Sequence, residues 1–210
     1  MSIYCTMPSR NVVKTYVTDS YYHIYSRGVN KQEIFRDDED RDLFLSLLKR
    51  YLSTERASRK KHATYTSFAG TIDLVAYCLM DNHIHLLLYQ HDDPFALPGL
   101  MRRVMTTYSM YFNKKYDRVG PLFQSRYLAS RIDNDPYLHH ISRYIHRNPS
   151  QWSQYRYSSL RFYRGDAKAD WVKPDSILSL FDNSSQKYLT FVASMDEDDE
   201  EIAIDFLAHE

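Results

Sequence analysis

Residues 21–27 (YYHIYSR) alternate weakly between faces, are rich in aromatic and β-prone side chains and close at Gly28, which predicts a first strand. Residues 37–52 open with acidic side chains suited to a helix N-terminus and then place Leu43, Leu47, Leu48, Tyr51 and Leu52 at helical spacing. Two apolar runs, 72–80 (IDLVAYCLM) and 83–89 (HIHLLLY), flank the turn-tolerant pair Asp81-Asn82 and read as a hairpin. A second amphipathic helix follows over 94–116, carried by Leu97, Leu100, Met101, Val104, Met105, Tyr108 and Phe112. After Gly120-Pro121, residues 122–132 (LFQSRYLASRI) alternate as a further strand. Asp133-Asn134-Asp135-Pro136 signals the start of a third helix, which runs to Arg147 and stops at Asn148-Pro149.

The order strand, helix, strand, strand, helix, strand, helix predicts an α+β fold: a ferredoxin-like βαββαβ antiparallel sheet with an additional C-terminal helix that carries the candidate chemistry. Beyond Tyr163 the pattern weakens, with short helices expected at 176–181 and 186–193. The expected division is a domain over 1–165 and a helical extension with an acidic tail over 166–210.

Length and composition support a folded chain. The 210 residues are 43% hydrophobic and 26% charged, with only 5 Gly and 7 Pro, which excludes a disordered or low-complexity protein. Cys5 and Cys78 stand far apart with no zinc-ligand spacing around them. No apolar run is long enough to cross a membrane and no leader pattern is present, so cytoplasmic residence and no membrane partner are expected. The zero net charge hides an asymmetry: eight of the 27 acidic residues lie in the last sixteen, so the first 194 carry 27 basic against 19 acidic side chains. A basic body suits a polyanionic partner.

Candidate chemistry concentrates at two places. His83 and His85 are i and i+2 in a strand, so both imidazoles point to one face with Cα atoms about 6.6 Å apart, while Ile84 points to the other. Spacing leaves two readings open, a pair sharing one ion or two ordinary polar-face residues. On the third helix His140, Tyr144 and Asn148 fall at i, i+4 and i+8. Two imidazoles and an amide oxygen make a mixed N/O donor set with positions left open, which suits Mg2+ or Mn2+ better than structural zinc. A tyrosine hydroxyl beside such an ion could attack a phosphodiester; spacing fits equally a tyrosine packed on the sheet. With a reference pKa of about 10 the phenol is roughly one part in a thousand ionised at neutral pH, a deficit of about 4 kcal/mol that positioning and phosphate polarisation must offset. His140 or His146 could assist.

The segments MDNHIHLLLY, GPLFQSRY and RYIHRNP together resemble the single-tyrosine HUH transposases of bacterial insertion sequences, including the REP-associated tyrosine transposases. YHIYSRGVNKQEIF and YRYSSLRFY are secondary likenesses, and the resemblance spans residues 20–163. It implies that His83 and His85 hold a divalent ion with Asn148 as third ligand. It also implies that Tyr144 attacks single-stranded DNA beside a hairpin, leaving a 5′-phosphotyrosine link and a free 3′-hydroxyl. Relaxases place the nucleophilic tyrosine before the histidines, and rolling-circle initiators often carry two tyrosines one turn apart. Here Tyr144 follows the histidines and has His140 and Asn148 one turn away, which favours a single-tyrosine enzyme, with Tyr137 a distant alternative nucleophile.

DNA contacts are expected from Arg102, Arg103, Arg126, Arg131, Arg143 and Arg147 to phosphate, with Gln124 and Asn30 as base readers. The expected function is thus a metal-dependent single-stranded DNA endonuclease and strand transferase, with a homodimer as the expected assembly. The rivals are a catalytically silent single-stranded nucleic-acid-binding module on an RRM-like sheet, and a metal phosphodiesterase that uses water as nucleophile.

Overall fold

The computed structural model describes residues 16–55, 66–132 and 135–194. Residues 56–65, the Asp133-Asn134 cap and the acidic tail from 195 lie outside the described residues. Four strands, β1 (Ser20–Arg27), β2 (Ile72–Leu79), β3 (His83–Gln90) and β4 (Leu128–Ile132), form one sheet in the order β2-β3-β1-β4. Every neighbouring pair is antiparallel. With α1 (Asp38–Leu52) between β1 and β2 and α2 (Ala96–Lys115) between β3 and β4, this is the ferredoxin-like plan. α3 (Asp135–Arg147) follows β4, and three short helices close the described chain: α4 (Leu160–Arg164), α5 (Asp175–Leu178) and α6 (Ser185–Ala193).

Strand alternation sorts the sheet into two faces. Tyr22, Ile24, Ile84, Leu86 and Leu88 join Phe44, Leu48, Val104 and Tyr108 from α1 and α2 in one apolar core. On the opposite face Ala76, Cys78, Leu87 and Ile132 pack against Leu138, Ile141 and Ile145 of α3 and Ile177, Tyr188 and Val192 of α5 and α6. A register shift between Leu74 and Ala76 gives β2 an extra residue, so Val75 and Ala76 both reach the α3 side.

Local chemistry explains the helix ends. Asp37 Oδ1 accepts from the Asp40 backbone N–H at 3.0 Å as the α1 N-cap, and Lys115 Nζ at the end of α2 bridges Asp37 and Asp40. These bonds hold the Asp37 carboxyl below the usual carboxylate range.

The structure departs from the sequence reading at three places. The expected strand over 122–132 shortens to β4, because Leu122 and Phe123 are both buried and Gln124, Ser125 and Arg126 turn to solvent, which breaks the two-residue period. That segment is stitched to the end of β1 instead, by Gln124 N–H to Arg27 C=O at 2.8 Å and Val29 N–H to Leu122 C=O at 3.0 Å. The expected helix over 176–181 is α5 followed by a tighter turn over Ser179–Phe181, ended by Asp182 in the left-handed region (φ 54). The one-turn helix α4 carries no sequence period long enough to announce it, and Gly165 (φ 83) terminates it. Among the described residues no helix is long and apolar enough to cross a membrane.

Candidate active site

The site stands on the α3 face of the sheet, where β1 and β3 present alternate residues side by side. In register, Arg27 opposes His83, Tyr25 opposes His85 and His23 opposes Leu87. His85 is 1% exposed and His83 half-buried, while Ile84 between them is fully buried in the opposite core. The two imidazoles meet edge to face, with ring centroids 5.0 Å apart. α3 lays Tyr144 over them, its ring perpendicular to His85 at 5.3 Å between centroids, and Asn148 follows the end of the helix.

Hydrogen bonds set the imidazole of His83. Asn82 Nδ2 donates to the Lys31 carbonyl at 3.2 Å, which turns its Oδ1 toward His83. That oxygen can only accept, so His83 Nδ1, 2.6 Å away, carries the proton and Nε2 keeps a lone pair. His83 Nε2 lies 2.9 Å from Asn148 Oδ1. An imidazole nitrogen and an amide oxygen at that distance can serve one cation together, since neighbouring ligands of an octahedral ion with bonds of about 2.1 Å are separated by roughly 3.0 Å. His85 Nε2 is buried with no hydrogen-bond partner among the described residues, as an ion-facing nitrogen would be. The residues present therefore fit a divalent ion. Among the described residues no group of three or more His, Cys, Asp or Glu gathers to hold one.

Burial, with smaller contributions from the neighbouring His23, His83 and Arg27, holds the His85 imidazole well below its usual protonation range. Burial alone lowers His23 to about 3. Both rings are thus neutral at pH 7, the state an ion requires of its ligands.

The remaining expected site residues divide. Arg102 and Gln124 are exposed along a groove of about 1410 Å³ beside α2, together with Arg126, Phe95 and Met110. The described residues lining it include two arginines and no carboxylate. Arg103 is half-buried, donates to the Gly99 carbonyl at 3.2 Å and lies over the Phe68 ring. Asn30 is exposed in the left-handed region (φ 53). Arg131 pairs with Tyr22 and so projects from the α1/α2 face, opposite the histidines.

On α3 the structure buries Arg143 and His146, against the expectation that they meet DNA or assist at the site, and gives His140, Arg147 and Tyr137 neighbours of their own. Arg143 is fully buried, stacked on Phe191 at 4.2 Å, and donates to His140 Nδ1 at 2.9 Å; it holds α6 to α3 and offers no surface to phosphate. His140 belongs to that same cluster against Phe191. His146 is fully buried, with Nδ1 2.7 Å from Tyr188 Oη and Nε2 2.7 Å from Ser159 Oγ; both nitrogens are engaged away from the site, and burial lowers it to about 3. Arg147 donates to the Ser194 carbonyl at 2.9 Å. Tyr137 is buried in the core below α3.

Sequence reasoning missed His23 and Arg27. His23 is 1% exposed, its Nε2 lies 3.0 Å from His85 Nδ1, and its ring meets Tyr144 edge to face at 6.3 Å. Arg27 is 9% exposed and sits on the site face opposite His83. The signal was the alternation of Tyr21, His23, Tyr25 and Arg27 along one face of β1, which reads as a polar stripe only once its register with β3 is known. The open aromatic sheet of an RRM-like module is not available here, because α3 and α6 cover the face that would stack bases.

A family model described as transposase, IS200-like, matches residues 16–148. No curated protein matches the chain in sequence. Among solved structures, a REP-associated tyrosine transposase bound to a REP hairpin is similar in fold, with a TM-score of 0.52 and 15% identity over 76% of this chain and 89% of that one. The family match spans the two catalytic-type histidines, the helix tyrosine and Asn148, and with it the chain belongs to the IS200-like transposases, the single-tyrosine HUH enzymes that nick and rejoin DNA through a tyrosine link.

Proposed function

We propose that Tyr144 is the nucleophile and that His83, His85 and Asn148 hold a Mg2+ or Mn2+ ion. The observation that carries this reading is the 2.9 Å approach of His83 Nε2 to Asn148 Oδ1 beside His85, whose buried Nε2 has no hydrogen-bond partner among the described residues and whose ring lies against Tyr144. Membership of the family implies a divalent-metal mechanism, and the ion when bound supplies polarisation of the scissile phosphate.

The chain's own residues do the rest. The phenol oxygen of Tyr144 forms a bond to phosphorus as the bond to the 3′-oxygen breaks, giving a 5′-phosphotyrosine and a 3′-hydroxyl that takes up a proton. The buried rings of His23 and His85 limit the positions open to Tyr144, so positioning offsets part of the deficit of the un-ionised phenol. The guanidinium of Arg27, on the same face, stabilises the charge that develops on the phosphate.

The substrate proposed is single-stranded DNA carrying a hairpin, supported by the fold likeness to a transposase solved with a REP hairpin and by the arginine-lined groove at Arg102 and Arg126. Bacterial cytoplasmic DNA is the setting this implies. α6, beyond residue 165, acts as a buttress that fixes α3 through Phe191 against Arg143 and Tyr188 against His146. A homodimer is the proposed assembly; light scattering behind size exclusion that shows only monomer would remove it.

The deciding experiment incubates the protein with short hairpin-bearing single strands and Mg2+ or Mn2+ and maps any SDS-resistant adduct by mass spectrometry. An adduct on Tyr144 is expected. Cleavage by Tyr144→Phe would assign the nucleophile to water or another residue, and binding without adduct under either ion would favour a silent binding protein.

A further inference from the structure

His23 is a buried histidine whose nitrogens take no part in the proposed reaction, and its ring meets both His85 and Tyr144. It stands on β1 diagonal to His85, since its register partner is Leu87 and that of His85 is Tyr25. The His23 and His85 ring planes are 7° apart and their centroids 5.2 Å apart, with 3.0 Å between His23 Nε2 and His85 Nδ1. A nitrogen contact that short between centroids that distant leaves space only for the two ring radii. The rings therefore meet edge to edge in nearly one plane, the arrangement in which an N–H of one points along the lone pair of the other.

One proton lies between those two nitrogens, and its owner decides what the far side of His85 can do. If His23 donates, His85 Nδ1 is the acceptor, and the neutral His85 ring carries its proton on Nε2. That nitrogen would then be a donor with no lone pair for an ion. Burial does not choose between the two assignments, because the other one places an N–H on the equally buried His23 Nδ1; the ion does, since it requires a lone pair on His85 Nε2. If His85 donates, its Nε2 keeps a lone pair aimed into the site, as His83 Nε2 does through the bond of its Nδ1 to Asn82.

We propose that His23 is a positioning residue for His85: its Nε2 accepts from His85 Nδ1–H, holding His85 in the tautomer whose Nε2 can bind a divalent ion. His23 and Asn82 then have the same task, each accepting the Nδ1 proton of one of the two histidines. The pairing differs in setting. Asn82 is half-buried in the hairpin turn, whereas His23 is inside, where its ring also braces Tyr144. Acceptors behind an ion-binding histidine fix ring orientation and tautomer, and their removal weakens metal affinity by about 10- to 100-fold.

This inference rests on the reading of His83, His85 and Asn148 as an ion site, but its first test does not. The metal-free full chain, labelled with 15N-histidine, reports each ring's tautomer through long-range proton–nitrogen correlations. His85 is expected as the Nδ1–H form, the opposite of the form that free imidazole prefers. Finding Nε2–H on His85 in the native chain overturns the proposal without any variant.

The second test compares His23→Phe, which fills the volume without an acceptor, with His23→Gln, whose amide oxygen reaches the position of the lost nitrogen. His23→Phe is expected to move His85 to the Nε2–H form and to weaken Mn2+ binding by titration calorimetry about 10- to 100-fold. His23→Gln is expected to restore both to within a few-fold. A purely packing role predicts the reverse order, with Phe the better tolerated. His83→Ala and His85→Ala are the controls: if they leave Mn2+ affinity unchanged, the ion site itself is wrong, whereas if they abolish binding and His23→Phe does not weaken it, only the role of His23 fails.

Discussion

The two faces of the sheet are built from the same strands and do opposite things. On the α1/α2 face, Ile84, Leu86 and Leu88 of β3 meet hydrocarbon and aromatic side chains and are fully buried. On the α3 face, His83 and His85 of the same strand meet Tyr144, Tyr25, His23 and Arg27. Burying His23 and His85 keeps two imidazoles out of water, a cost that the apolar face and the α3 core offset. The chemistry of this chain thus stands on a surface whose stability comes from elsewhere. Its α6 buttress has its own polar interior, with His146, Tyr188, Ser142 and Ser159 bonded to one another out of solvent.

The most severe way to separate the faces is Tyr144→Phe, which removes one oxygen from the α3 side. Cleavage and adduct formation are expected to fall by at least about a thousandfold, with hairpin affinity and melting temperature unchanged, as measured by gel assay and calorimetry. A parallel loss of stability would show that the phenol belongs to the core.

Next in size is Ile84→Ala, between the two histidines but on the other face. It is expected to cost about 2–5 kcal/mol in denaturant unfolding, while the folded fraction keeps its Mn2+ affinity. Intact stability with lost ion binding would break the division between faces.

Acid should act on the buried histidines. His146 is lowered from 6.5 to about 3 in the folded chain, so the unfolded chain takes up the proton first as pH falls. Its contribution to stability is complete above about pH 6.5 and is lost progressively down to about 3, at up to roughly 1.4 kcal/mol per pH unit. His146→Gln is expected to flatten the decline of unfolding free energy below pH 6.5 by one proton's worth, and an unchanged slope would mean that His146 titrates normally.

The smallest effects belong to the groove. Arg102→Ala and Arg126→Ala should each reduce the slope of log affinity against log salt for hairpin DNA by about one, by fluorescence anisotropy. Arg143→Ala should leave that slope alone and lower the melting temperature instead, because its guanidinium lies on Phe191 inside the α3/α6 packing.

Much of this was legible in the sequence, residue by residue. The alternation HIHLLLY says that His83 and His85 share a face and that Ile84 does not, because side-chain direction in a strand has a period of two. The helix ending at Asn148-Pro149 places Tyr144 and Asn148 one turn apart by the same kind of local rule. These are statements about neighbours in the chain, which backbone geometry fixes without tertiary contacts. Periodicity could not reveal that Arg143 and His146 are interior, since a charged residue on an amphipathic helix reads as a solvent-facing one until a second helix covers it. It also could not reveal that residues 122–127 leave the sheet, because strand-like side chains do not say which backbone groups pair. The strand order, the register that sets His23 diagonal to His85 across 62 residues of sequence, and the docking of α3 and α6 were decided by tertiary structure alone. The physical reason is that local periods specify which way a side chain points, while the partner it meets depends on which distant segments pack most favourably against one another.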